Sequence, residues 1–295
     1  MIVINYSIRD IPIPAEISTK LNKINLFIYE SNMDINDYLT NLFVSEDFCN
    51  SVFHKDLSRE DWQAIYYGIK SEKGKEYFKN NGILFEHFSN KILSEHFSLQ
   101  NLINFGNIDF EDPDKGSDII FFNQDFKLQF YEVKSKCTAN QKGNQKDFAE
   151  LVKNAIRSIF CRRLKNVAKL MGAKTAIKGK DELFGSYKLL CDMLNNSSNM
   201  INYVDNGNID FNICIIGEKI DIDDDLLKQE IIEVFNTNKY CPENCEYNNE
   251  VCIKGILDKI IILNIVNIQF LGELSLNVIY EKIIKTIELM GVLDE

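Results

Sequence analysis

Residues 116–136 read GSDIIFFNQDFKLQFYEVKSK. Ile119 to Phe122 is a short apolar run, bounded by Lys115-Gly116-Ser117 on one side and Asn123-Gln124-Asp125 on the other. Beyond that break, Leu128, Phe130, Glu132 and Lys134 share one parity, and Gln129, Tyr131 and Val133 share the other. Two such runs around a polar turn predict a β-hairpin turning near residues 124–125. Side chains two apart on a strand project from the same face, so Glu132 and Lys134 stand together. The turn brings Asp118 almost opposite Tyr131, one position from Glu132. An aspartate, a glutamate and an ammonium then meet at a strand end. Two hard carboxylates suit Mg²⁺ or Mn²⁺, which take oxygen ligands. A neighbouring lysine can orient or deprotonate water and stabilise charge developing on a phosphate. The set fits metal-assisted hydrolysis of a phosphodiester. Asp118 is preferred as the first acid because it directly opens the apolar strand; Asp114, in the dipeptide Pro113-Asp114, is the alternative. The competing reading of Glu132 and Lys134 is a solvated ladder pair on an exposed strand face.

Outward from the hairpin the period of the apolar pattern changes. Ile2 to Ile8 alternates and reads as a strand ending before Pro12 and Pro14. Ile24 to Ile28 reads as a second strand. Residues 36–44 and 58–69 look helical, and Ser58-Arg59-Glu60-Asp61 offers an N-cap with acids in the first turn. From 74 to 97 apolar residues recur at helical spacing (Ile83, Leu84, Phe88, Ile92, Leu93, Phe97), with Asn80-Asn81-Gly82 dividing the run. After the hairpin come a long helix over 146–171, ended by Gly172, a helix over 181–194, a strand over 209–216, a helix over 224–235, a strand over 260–270 and a final helix over 274–289. This alternation predicts an α/β (α+β) fold. The expected organisation is an N-terminal α+β segment, 1–73, packing on a core at 74–217, with 218–295 as a C-terminal α/β extension of the same domain.

The chain has 295 residues, 45% of them hydrophobic and 26% charged, with 14 Gly and 4 Pro. These values exclude disordered and collagen-like chains. The most apolar run, Ile256 to Phe270, is interrupted by Asp258, Lys259, Asn264, Asn267 and Gln269, so no transmembrane helix is expected. The first residues lack a basic region followed by a long apolar one, so no secretory signal is read. A cytoplasmic protein with reduced thiols and no membrane contact is expected.

Net charge is -11, which taken alone points away from nucleic acid. The charge is unevenly spread. Residues 134–180 hold 13 Lys or Arg against two acids, Asp147 and Glu150, giving +11 there and -22 elsewhere. Lys146, Lys153, Arg157 and Lys165 lie roughly along one side of the predicted helix. Lys153 and Arg157, with Lys136, Arg162 and Arg163, form the candidate surface for a DNA backbone. The alternative is a basic face neutralised by acidic elements of the same chain or by an acidic partner.

Cys241, Cys245 and Cys252 form a loose cluster. Three thiolates need a fourth ligand to hold zinc or an iron–sulfur cluster, and no CxxC pair is present, so they read as ordinary reduced cysteines. His54, His87 and His96 make no metal-spaced set. No GxxxxGK[ST] loop occurs, which excludes ATP hydrolysis by that device.

Asp118 followed by Glu132-Val133-Lys134 resembles the signature of the PD-(D/E)xK nuclease superfamily. In that signature an acid starts one hairpin strand and acid-x-Lys lies on the next. A further Glu often sits on a helix before the hairpin, and Glu86, within Gly82 to Phe88, occupies that place in the order. Some members carry an iron–sulfur cluster held by one Cys before the core, here Cys49, and three after it. Those relatives also show Gln-x3-Tyr on the following helix, whereas here Gln145 is followed four later by Ala149. The layout of the whole chain is similar to the HamA family, the nuclease subunits of the Hachiman antiphage defence system. The specific features lie in 82–160, including Ala155-Ile156-Arg157-Ser158, and this chain has Gly82-Ile83 where that family more often has Gly-Glu.

The resemblance implies a restriction-endonuclease-like core, with a mixed central sheet flanked by helices, and a Mg²⁺-dependent DNA endonuclease. Asp118, Glu132 and Glu86 would be the metal ligands, and Lys134 would position water. It further implies a superfamily 2 helicase partner (HamB-like) in the bacterial cytoplasm. Two alternatives stand beside it: a restriction endonuclease with its own target site, and a non-cleaving DNA- or partner-binding subunit on a nuclease-like scaffold.

Overall fold

The computed structural model describes residues 4–18, 21–45, 48, 57–80, 82–97, 100–101, 119–122, 128–136, 147–161, 209–236 and 262–293. Its strands are β1 (Ile4–Ile11), β2 (Lys23–Asp34), β3 (Gln100–Asn101), β4 (Ile119–Phe122), β5 (Leu128–Lys136), β6 (Ile209–Glu218) and β7 (Ile262–Leu271). They form one mixed sheet in the order β1-β2-β7-β6-β5-β4-β3. The four central strands, β2, β7, β6 and β5, run parallel, and β1 and β4 flank them antiparallel. The helices are α1 (Ile35–Phe43), α2 (Arg59–Lys70), α3 (Glu72–Asn80), α4 (Gly82–Phe97), α5 (Phe148–Cys161), α6 (Asp224–Asn236) and α7 (Leu276–Leu289). The α/β class with a mixed, helix-flanked sheet is thus observed. Strands from all three predicted segments share this one sheet.

Burial on both faces explains the apolar runs of β6 and β7. Ile213 to Ile216 are all fully buried, as parallel strands covered on both sides require. Tyr131, Val133, Cys214, Ile216, Val266, Ile268 and Phe270 alternate along their strands and make one core with α1, α2, α3, α4 and α7. The opposite parity, with Ile213, Ile215, Leu263 and Ile265 buried on it, faces the other way, where α5 packs on β5 and β6 and against α6. Glu132 and Lys134 have this second parity.

Local signals act where expected. The Ser58 hydroxyl accepts from Asp61 N, and the Asp61 carboxylate accepts from Ser58 N, a complete capping box. α3 ends at Asn80 and α4 starts at Gly82, the predicted break. β2 runs longer than predicted, to Asp34, whose side chain caps α1 by accepting from Asn36 N and Asp37 N. The hairpin register differs by one residue: Ile119, not Asp118, opposes Tyr131. The predicted long helix is described as far as Cys161, and the predicted helix over 181–194 lies outside the described residues.

A ladder of amides crosses the parallel strands near their amino ends. Asn25 Nδ2 donates to Asn264 Oδ1, Asn264 Nδ2 to Asn212 Oδ1, and Asn212 Nδ2 to Gln129 Oε1, each at 2.9 Å. Gln129 Nε2 then donates to Asp210 Oδ2. A one-residue slip of any strand would break the ladder, so it fixes register.

Candidate active site

β5 is held on one side by β4 and on the other by β6, with Glu132 paired to Ile213 and Lys134 to Ile215. This central place buries Glu132 to 2% exposure, while the Lys134 side chain keeps 21%. Lys134 Nζ donates to Glu132 Oε1. Glu132 Oε2 is buried and has no hydrogen-bond partner among the described residues. The solvated ladder pair considered from sequence is therefore excluded by burial. What stands instead is a shielded carboxylate with one oxygen satisfied by an ammonium and the other available.

The rest of the face is mixed in character. Ile213 and Ile215 wall the pair off from β7. Asn267 lies in the same cross-sheet row as Lys134, through Ile215. It is 1% exposed, and its Nδ2 has no acceptor among the described residues. The composition gave no cue to it, because Asn is abundant throughout the chain. On the opposite face the environment is dry. Burial raises the Tyr131 hydroxyl well above its ordinary value and pushes the Cys214 thiol up to about 12.

The helix carrying Glu86 packs on that opposite face. Phe85, Phe88, Ile92 and Leu93 of α4 join the core of Tyr131 and Val133, while Glu132 and Lys134 point away from it. The side chain of Glu86 lies outside the described residues, as do Asp118, Asp114, Arg162, Arg163, Cys49, Cys241, Cys245 and Cys252. Lys136 closes β5, opposite Gly217. Among the described residues no group of three or more His, Cys, Asp or Glu is placed to hold a metal ion.

Lys153 and Arg157 are engaged within the chain. Lys153 Nζ lies 2.5 Å from Glu230 Oε2 and 2.6 Å from Glu233 Oε2, and Arg157 Nη2 lies 3.2 Å from Glu233 Oε1. Burial alone would lower the Lys153 ammonium, but its bonds to Glu230 and Glu233 outweigh that and leave it raised. The bond from Lys153 holds the Glu233 carboxyl below its ordinary range. At these two positions the basic stripe is matched by acids of α6, as the alternative reading of the charge pattern allowed. The acids come from a helix some 80 residues on, so their place opposite α5 depends on the β5–α5–β6–α6 crossovers.

The chain matches no protein-family model, no curated protein and no solved structure. Among the described residues, no helix is long and apolar enough to cross a membrane.

Proposed function

We propose that the chain is a metal-dependent DNA endonuclease that hydrolyses phosphodiester bonds. The observation that carries this reading is the buried Glu132–Lys134 pair with Oε2 of the carboxylate left over. A desolvated carboxylate oxygen without a donor suits a cation. Asp118 is assigned as the second acid. It directly precedes β4 in the chain, the strand that pairs with the one carrying Glu132 and Lys134. Lys134 neutralises one carboxylate, so a second leaves net negative charge for a divalent ion.

A bound Mg²⁺ would supply Lewis-acid polarisation of the phosphoryl oxygen. The protein's own part falls to Lys134. Its ammonium orients water in line with the scissile bond and stabilises charge on the phosphoryl oxygens. The water oxygen bonds to phosphorus and releases a proton to solvent, the phosphorus–ester oxygen bond breaks, and the leaving oxygen takes up a proton from solvent, so that the protons balance. The order α4, β3, β4, β5, α5, β6, with three antiparallel strands followed by a helix and a parallel strand, supports a PD-(D/E)xK core. The reading does not lean on Glu86, whose helix covers the other face. Action in antiphage defence beside a superfamily 2 helicase rests on the likeness in layout alone.

The test is plasmid cleavage with Mg²⁺, with and without an added superfamily 2 helicase. Glu132→Gln and Lys134→Ala should each lower the rate by roughly 100-fold or more, and EDTA should stop it. Wild-type rates in either variant would defeat the assignment.

A further inference from the structure

We propose that Glu230 and Glu233 of α6 compete with DNA phosphates for Lys153 and Arg157, so that α6 holds the basic helix in a low-affinity state. This rests on the nuclease reading above and concerns how that site meets its substrate.

α5 follows the strand carrying Glu132 and Lys134 and packs on the same face of the sheet. Residues 153 and 157 are one turn apart and share a side of the helix. Lys153 and Arg157 both donate to Glu233, at 2.6 and 3.2 Å, and Lys153 also stands in ionic contact with Glu230 Oε2, which accepts no hydrogen bond among the described residues. A phosphate oxygen carries the same sign of charge and would take the place of the Glu233 oxygens. The two pairs differ in access. The Lys153 side chain is 14% exposed, whereas Arg157 and Glu233 are 43% and 46% exposed. The outer pair is therefore the one a ligand reaches first, and a surface pair of this kind is weak enough to exchange. A duplex approaching α5 at these two positions thus meets cations already matched.

The experiment measures anisotropy of a labelled 20-base-pair duplex in EDTA, so that cleavage does not intervene, between 50 and 200 mM salt. Glu230→Gln with Glu233→Gln should bind roughly tenfold tighter than wild type at 100 mM salt. Its log–log salt slope should be steeper by about 2, close to 0.9 for each freed cation. Adding Lys153→Ala and Arg157→Ala to that variant should abolish the gain. An unchanged affinity and slope overturns the proposal. So does a gain that survives the alanine changes, since it would then be a general effect of removing negative charge. Should the double glutamine variant lose its fold by circular dichroism, Glu233→Gln alone tests the exposed pair, with a slope change of about 1 expected. Failure of this idea is separable from failure of the nuclease reading. Glu132-dependent cleavage with an unchanged glutamine variant removes only the clamp, whereas no binding and no cleavage by any variant removes both.

Discussion

Replacing Lys134 with methionine isolates the physical character of the buried pair. The change keeps most of the aliphatic stem and deletes the ammonium. Glu132 is 2% exposed, its Oε2 has no partner among the described residues, and Lys134 is the recorded partner of its Oε1. Lys134→Met would therefore leave a buried carboxylate uncompensated. Removing one member of a buried pair costs about 3–5 kcal/mol. The Lys134 side chain is 21% exposed, so water reaches that side of the pair and the lower end applies. That is about 3 kcal/mol, or roughly a 5 °C fall in Tm for a chain of this size. Urea denaturation followed by circular dichroism reads it. Glu132→Gln combined with Lys134→Met should recover most of the loss, because no buried charge remains. Mg²⁺ at ten times its Kd should add about 1.4 kcal/mol to Lys134→Met and nothing to the double variant. A single-variant loss below about 0.5 kcal/mol would refute the reasoning, because buried charges of this kind do not come so cheaply.

Two further outcomes follow from the packing. Burial raises the Cys214 thiol from 9.0 to about 12 and raises the Tyr29 and Tyr131 hydroxyls, so the unfolded chain sheds these protons first. The contribution of Cys214 is intact below pH 9 and should be lost at roughly 1 kcal/mol per pH unit as pH climbs toward its folded value, with the tyrosines acting in the same direction above pH 10. Urea midpoints from pH 8 to 11 check this, Cys214→Ala should flatten the first part of the fall, and a level profile would contradict it. Asn264→Ala strips partners from Asn25 Nδ2 and Asn212 Oδ1 at once and should cost about 2 kcal/mol in the same assay; a loss near zero would mean the ladder does not hold register.

The elements were legible wherever a period was clean. Ile119–Phe122 and the alternation from Leu128 to Lys134 specify strands, and Asn80-Asn81-Gly82 marks the α3–α4 break. Register was not legible. Residues 123–127, Asn-Gln-Asp-Phe-Lys, contain no Asn-Gly or Asp-Gly pair to centre the turn, and the expected pairing is off by one. That single residue matters, since directly opposed side chains share a face. In the observed register Ile119 shares the face of Tyr131, and Ile120 that of Phe130. The amide ladder was hidden by composition, because three of its four amides are Asn in an Asn-rich chain. The α5–α6 ion pairs were hidden by distance along the chain: Lys153 and Glu230 meet only after two crossovers.

Acid-x-Lys is common on exposed strands, where it costs little and means little. Here the same three residues occur on a strand paired on both sides, and the two parities have been put to different uses. Tyr131 and Val133 seal the core against α4. Glu132 and Lys134 sit beside Ile213 and Ile215, which are fully buried. Two aliphatic side chains at 132 and 134 would extend that surface without desolvating a charge, and exchanges of this kind are often neutral or stabilising. Packing therefore does not require the pair. Nor does register, which the amides of Asn25, Asn264, Asn212 and Gln129 already fix from the amino ends of the same strands. A buried ion pair that neither packing nor register demands, with one carboxylate oxygen left over, is best explained by chemistry at that oxygen. This is why burial, rather than the spacing of the motif, carries the functional argument.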